Sequence, residues 1–513
     1  MKIKTSTQIV AGRRYSLGYN AVDDTTRRRQ TQKRTRAEGQ ILTPQKREIA
    51  SATVRDDKRS MSLLAWMCRR HFDSVARFTP TFRITSQTDE AKEVNKIVKK
   101  LLYWHSLRRN FDAMGKNGRD EFMRMYEACK VIEGDCGALK VKGGKFQGIE
   151  GDRIKKPTDY GNARVSKAQQ ENISPEGLIF DKDGMRIGFC ICKRTDVGGF
   201  QYETIVDEED LIFDAYWPDR FDCNRGVSPL LTALNEAADV RETWEWLVVK
   251  AKASAIFGLA FTRTGDDEPF PTQGEPNTTN PATEGEAYSS QVAKAIKSRG
   301  LVNLDLDPGD EVKEIQSSTP NPTVVPFTRE LIRSILLALD IPFTFYDSLT
   351  ASFSARIADR NEYEESCESK RDKNISVLDE MYGGWLFPIW EKIDLFGFGK
   401  ALKKAKMSPE EVSAELRWVP AGKPWLDRTN EMSGHILALT AGVTSTPRIC
   451  ALYGDDAFEI AEEQKAYLEQ AGVPLLYANG GQQAVQAIMA GINGGQKENT
   501  EPAQKGSKGE QNE

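Results

Sequence analysis

The sequence is 513 residues long, 39% hydrophobic and 28% charged, with a formal net charge of −4. That length allows about three domains or one elaborate subunit, and the apolar content excludes wholesale disorder. No apolar run approaches the ~18 residues of a membrane helix, and the opening MKIKTSTQIVAGRRY lacks a signal-peptide core, so no membrane association is expected.

The net charge conceals an asymmetry. Residues 1–60 carry 15 Lys and Arg against 6 Asp and Glu, a net of +9, which leaves 56 against 69, a net of −13, in the rest. A basic arm is therefore attached to an acidic body. Arg27, Arg28, Arg29, Lys33, Arg34 and Arg36 would suit phosphates through charge that salt screens. The other reading is an arm docked on an acidic neighbouring subunit, because no aromatic residues interleave with the basic run to form a stacking surface.

Eight cysteines are scattered without metal-type spacing, and three histidines, His71, His105 and His435, are too few to complete a zinc site. Cys190 and Cys192 would share one face of an alternating strand. Reduced core thiols, and a cytoplasmic origin, are expected.

In chain order, residues 42–77 read as helix, with Leu63, Leu64, Met67, His71 and Val75 at three- and four-residue intervals and His71 as a packed core residue. Residues 88–132 continue as helices, with Asp89 as N-cap and Val94, Ile97, Val98, Leu101 and Leu102 on one stripe. From Gly134 to about 217 the pattern is short strands and turns. Ser228-Pro229 starts a helix expected to reach Phe261, with Trp244, Leu247, Val248 and Ala251 as its apolar stripe. Residues 264–285 are a Pro/Gly/Thr-rich loop. Val302, Leu304 and Leu306 alternate into the turn Asp307-Pro308-Gly309-Asp310, predicting a hairpin. A helix over Phe327–Leu339 stops before Pro342, and Asp347–Ser354 is a loop of small residues. A charged helix over 355–381, the Trp385–Ile393 segment, further helices to about 472 and a polar tail complete the chain.

Phosphate-loop, nucleophile-elbow and zincin motifs are absent from the sequence. The acid pairs Asp266-Asp267, Glu364-Glu365, Glu410-Glu411 and Asp455-Asp456 are adjacent, so their side chains diverge. These features point to an interaction protein rather than an enzyme, with no cofactor.

Several segments in order resemble the lambda-like portal family of tailed bacteriophages. They are LTPQKREIASATVRDDKRS near the N-terminus, Ile149–Ile154, Arg225-Gly226-Val227-Ser228-Pro229-Leu230 with the helix through Val249-Lys250-Ala251-Lys252-Ala253, Tyr346–Arg356, and Trp425-Leu426-Asp427 through Gly442, Thr446 and Gly454-Asp455-Asp456. Two departures are the long 264–285 segment and Arg428 where the family usually has proline. The resemblance implies an α+β, mainly helical, portal-type subunit (wing, stem, clip and crown) forming a ring around a central channel.

On that reading the chain divides into a basic arm (1–60), a wing with helices and then β-rich structure (61–225), a first stem helix (226–262), a clip (263–318), a second stem helix (319–346), a tunnel loop (347–355), a long helix returning to the wing (356–395), a crown (396–475) and a polar tail (476–513). The implied tunnel-loop residues are Ser348, Leu349, Thr350, Ala351, Ser352, Phe353, Ser354 and Arg356. Those of the stem are Arg225, Gly226, Pro229, Lys250 and Lys252, and the clip turn is Asp307, Pro308, Gly309 and Asp310. The implied partners are about eleven further copies in a ring, double-stranded DNA, the terminase large subunit, major capsid and scaffold proteins, and head-completion, adaptor or tail proteins. The implied location is the portal vertex of the virion, with assembly in the host cytoplasm. An alternative is another non-enzymatic virion component such as a minor capsid or head protein. A Mg²⁺-dependent nuclease would need distant carboxylates to converge.

Overall fold

The computed structural model describes residues 7–10, 13–16, 38–84, 88–161, 163, 165–196, 199–216, 220–221, 223–256, 259–263, 310–314, 324–349, 351–422 and 427–471. The basic runs 27–29 and 33–36, the 264–285 segment, the alternating 302–306 run, Asp307, Pro308, Gly309, Thr350, Trp425, Leu426 and the 476–513 tail lie outside them. The described strands are β1 (Thr7–Val10), β2 (Arg13–Ser16), β3 (Phe78–Phe82), β4 (Asp135–Val141), β5 (Lys145–Glu150), β6 (Leu178–Phe180), β7 (Arg186–Arg194), β8 (Phe200–Asp207), β9 (Leu211–Ala215), β10 (Leu259–Arg263), β11 (Asp310–Glu314) and β12 (Leu416–Pro420). The chain forms two compact units. One comprises Met1–Arg55, Phe72–Ser228 and Glu368–Glu513; the other comprises Asp56–His71 and Pro229–Cys367.

The first unit is α+β. Its helix Asp89–Ser106 is capped by Thr88, whose hydroxyl accepts from the Ala91 amide at 3.3 Å, so the cap lies one residue before the expected Asp89. Asp89 and Glu90 instead occupy the first turn, where the helix dipole favours acids. Val94, Val98, Leu101 and Leu102 are buried as the spacing predicted. They join a core with Phe111, Phe122, Tyr126, Tyr382, Phe387 and Trp390. His105 sits within it: one ring nitrogen lies 2.7 Å from the Gly144 carbonyl and the other 3.1 Å from the Tyr382 hydroxyl. Burial lowers its pKa to about 4, so the ring is neutral, donating to the carbonyl and accepting from the phenol.

Two antiparallel three-stranded sheets, β5-β4-β9 and β6-β7-β8, cover the region from Gly134 to Ala215. Cys190 and Cys192 are buried on β7 across a bulge, and all eight cysteines are free thiols. β5 covers only the start of the Ile149–Ile154 segment. Glu150 closes β5, Gly151–Arg153 form a 3₁₀ turn, and Ile154 makes an isolated bridge to Ile191. One sheet was not anticipated at all: β3 pairs antiparallel with β12, Phe82 opposite Leu416.

In the second unit a 3₁₀ turn, Pro229–Thr232, precedes a helix over Leu234–Ile256. The helix is shorter than the expected span to Phe261, because Leu259–Arg263 is extended as β10 and pairs with β11 from Leu259↔Glu314 to Arg263↔Asp310. The strand that follows the predicted turn therefore pairs with this earlier segment. A further helix, Val324–Leu337, ends before Pro342, as its sequence predicted. The helix Phe353–Asp379, which crosses from the second unit into the first, begins two residues before the predicted start, because the Ser352 hydroxyl accepts from the Ala355 amide at 3.2 Å. A π-helical turn over Glu380–Leu386 follows it.

Candidate functional site

The loop between the Phe343–Phe345 3₁₀ turn and the Phe353–Asp379 helix is anchored at its start and bare at its tip. Asp347 binds Arg329 at 3.0 Å and accepts from the Leu349 amide at 3.1 Å, an Asx turn that folds the backbone locally. Tyr346 packs edge-on against Trp66 with ring centroids 6.2 Å apart. The Thr344 hydroxyl donates to Asp359 at 2.7 Å.

Beyond that anchor the apolar side chains have no cover. Leu349 is 91% exposed and Phe353 56%. Neither side chain is packed as core within this subunit. Ser348, Ser352, Ser354 and Arg356 are also exposed, and Ala351 is half-buried. Phe353 and Ser354 stand in the first helical turn rather than in the loop.

The same incompleteness recurs on the helix Leu234–Ile256. Ala237 and Val240 are buried near its start, but from Arg241 onward every described position is exposed or half-buried. Trp246 is 70% exposed, and Val248 and Val249 are exposed beside it. Lys250 and Lys252 also face solvent, as do Glu242 and Glu245. Trp246 and Val249, three apart, share one side of the helix, and Val248 lies on another; exposed large apolar residues of this kind mark interaction sites when they cluster.

The residues expected at the head of the stem divide differently. Pro229 opens the 3₁₀ turn, but Arg225 and Gly226 belong to the first unit and are buried. Arg225 is corrected from a stem residue to a structural node. Its Nε and Nη2 bind the two Asp135 carboxylate oxygens at 2.6 and 2.7 Å. Nη1 donates to the carbonyls of Ile154 and Glu176, and Nη2 to that of Gly151, all at 2.7 Å. These five bonds match the five donors of a guanidinium. Burial alone would lower its pKa, and Asp135, together with Glu176 and Glu133, more than offsets this, raising it above the usual value.

The backbone around the node is pinned by two glycines. Gly134 has φ 98°, and a Cβ on it would run into the Gly226 backbone; a Cβ on Gly226 would likewise strike Gly134. Ser228 donates to the Val131 carbonyl at 2.6 Å, completing the connection.

Part of the basic N-terminal segment is consumed here. Arg47 donates to the Gly226 carbonyl and lies 3.8 Å from Asp135. Arg55 binds Asp152 at 2.9 Å and also pairs with Glu133. Cys129, Glu133 and Glu150 come close enough to surround an ion, but arginines already hold both carboxylates: Arg55 pairs with Glu133, and Arg194 with Glu150 and Asp152. The group reads as an ion-pair network. Lys130, buried beside it in sequence, is satisfied by Glu127 at 2.9 Å, Asp214 at 2.7 Å and Asn374 at 2.8 Å.

No curated protein sequence matches the chain. Solved structures to which it is similar include a chain from the neck of an empty GTA particle computed with C6 symmetry, at 15% identity and TM-score 0.45, covering 79% of this chain and 93% of that one. Another is from the virion of a native gene transfer agent (GTA) particle, at 14% identity and TM-score 0.39, covering 80% and 98%. A third is an HK97 family phage portal protein from Corynebacterium diphtheriae, at 12% identity and TM-score 0.28, covering 59% and 81%. The family model described as phage portal protein, lambda family, matches residues 25–371, well over half of the sequence. The chain belongs to the lambda family of phage portal proteins.

Proposed function

We propose that this portal protein closes head-to-tail into a ring, about twelve copies around a channel, through which double-stranded DNA enters and leaves the capsid. The observation that carries this reading is the apolar surface the second unit leaves open on the helix Leu234–Ile256, at Trp246, Val248 and Val249. Burying one such side chain fully stabilises by ~1.5–3 kcal/mol, so a neighbouring copy gains from covering them. A contact between different surfaces of identical subunits generates a closed ring when its rotation closes.

The loop 347–352, with Leu349 and Phe353, would face the channel or the neighbouring loop. The net of −13 on residues 61–513 suits a passage that must not hold phosphates, because every added phosphate contact strengthens and salt-sensitises binding. Lys250, Lys252 and Arg356 would be sparse cations on its wall, or would pair with carboxylates such as Glu242 and Glu245 of a neighbour. Segment 263–318 would form the clip that docks the terminase motor and later the neck or tail proteins, with 396–475 as the crown towards the capsid interior.

Removing residues 348–353 tests the channel assignment. Packaging of DNA should fail while rings still assemble; normal packaging by the deletion would refute a role for the loop.

A further inference from the structure

A groove in the first unit is not used by the channel reading. The groove, of about 340 Å³, lies between β3 and the helices Asp89–Ser106 and Ala457–Ala471. Lys92, Lys96 and Lys99 line it at spacings of four and three, which places them on one face of their helix. Arg83 adds a fourth cation, with its guanidinium 3.8 Å from the centre of the Phe458 ring. Lys92 pairs with Asp89 at 3.1 Å and Lys99 touches Glu459 at 4.0 Å, both on exposed surface where such pairs are weak. Asp456 and Glu462 also line the groove; with Lys92 and Lys99 paired, Lys96 and Arg83 are its cations with no ion pair among the described residues.

Its floor is apolar. Phe82 and Ile84 are buried beneath it and Phe458 is exposed at its edge. Asn95 at the wall accepts from the Ile84 amide at 2.8 Å, which fixes the strand end.

We infer that this groove docks an acidic protein segment bearing an apolar anchor residue. Two features favour a peptide over a nucleic acid. A concave space of this size accepts a few side chains rather than the convex backbone of a duplex. Arg83 already covers a face of Phe458, which removes it as a platform for base stacking. A peptide would set its carboxylates against Lys96 and Arg83 and its apolar side chain over Phe82 and Ile84, the usual division between charged rim and apolar centre. The inference stands apart from the channel, because every lining residue lies in the first unit.

The test is fluorescence anisotropy on the full-length protein with a short fluorescein-labelled peptide alternating Asp and Glu with Phe and Leu. The comparison probes are the same peptide with Lys replacing its acids, and a labelled DNA duplex. The acidic peptide should bind saturably, and Lys96→Glu, on exposed surface, should weaken it by about tenfold, with Arg83→Gln acting in the same direction. The lysine peptide should not bind. Absence of saturable binding, affinity unchanged in both variants, or a duplex whose binding is lost in Lys96→Glu and Arg83→Gln while the peptide's is not would overturn the assignment.

Discussion

The Arg225 node and the Asp347–Ser352 loop show two opposite uses of chain. At the node every donor of a buried cation is matched, and two glycines let the backbones touch. At the loop the backbone is held at one end by Asp347, while Leu349 stands almost fully in solvent. The node is finished within one subunit; Trp246, Val248, Val249 and Leu349 of the second unit stand exposed, surface that the proposed ring would cover.

The sharpest way to break that comparison is at the node. Arg225→Ala strips Asp135 of its two short bonds and leaves only Arg47, 3.8 Å away, beside the buried carboxylate, which should cost roughly 3 kcal/mol. Denaturant melts followed through the first unit should show it, and a loss under ~1 kcal/mol would mean the node is ornamental. Arg225→Lys should recover little, since one ammonium cannot form the paired bonds.

Acid is the next probe. His105 is held near pKa 4 in the folded chain against an ordinary 6.5, so the unfolded chain binds more protons between those values. The ring's own contribution to stability should therefore fall as pH drops from 6.5 towards 4, by on the order of 3 kcal/mol, while Glu133, whose carboxyl burial raises to about 7, acts in the opposite direction. His105→Gln should remove that contribution from the pH profile of urea midpoints; a variant profile parallel to the wild type's across the window would contradict a neutral buried ring.

Changes in the second unit should do the reverse, leaving the subunit intact and harming the assembly. Trp246→Ser should shift subunit stability by less than ~0.5 kcal/mol, as exposed sites do, while lowering the fraction of protein in large oligomers on light scattering. Leu349→Ala should be smaller still, with no change in stability beyond ~0.5 kcal/mol and no loss of assembly.

How far the sequence anticipated this depended on range. The stripe Val94, Val98, Leu101 and Leu102 is a local periodicity, and it lies buried where expected. His71 was legible as core for the same reason. The β3–β12 sheet was not, because Phe82 and Leu416 have no local pattern that names each other across so much chain. The start of the Phe353–Asp379 helix was missed by two residues because one hydroxyl, on Ser352, sets it. Arg225 looked like one member of a motif heading a stem. Its partner Asp135 lies 90 positions upstream, and the only hint was that each residue adjoins a glycine, Gly134 and Gly226. At the loop, the small residues signalled absence of packing, but only the fold showed Leu349 and Phe353 left uncovered.

The central claim is that the second unit is completed by copies of the same chain. Negative-stain microscopy of the purified full-length protein tests it most directly. Rings with a central hole are expected, scarcer in Trp246→Ser; a monodisperse monomer at every concentration reached would contradict completion of the second unit by copies of the same chain.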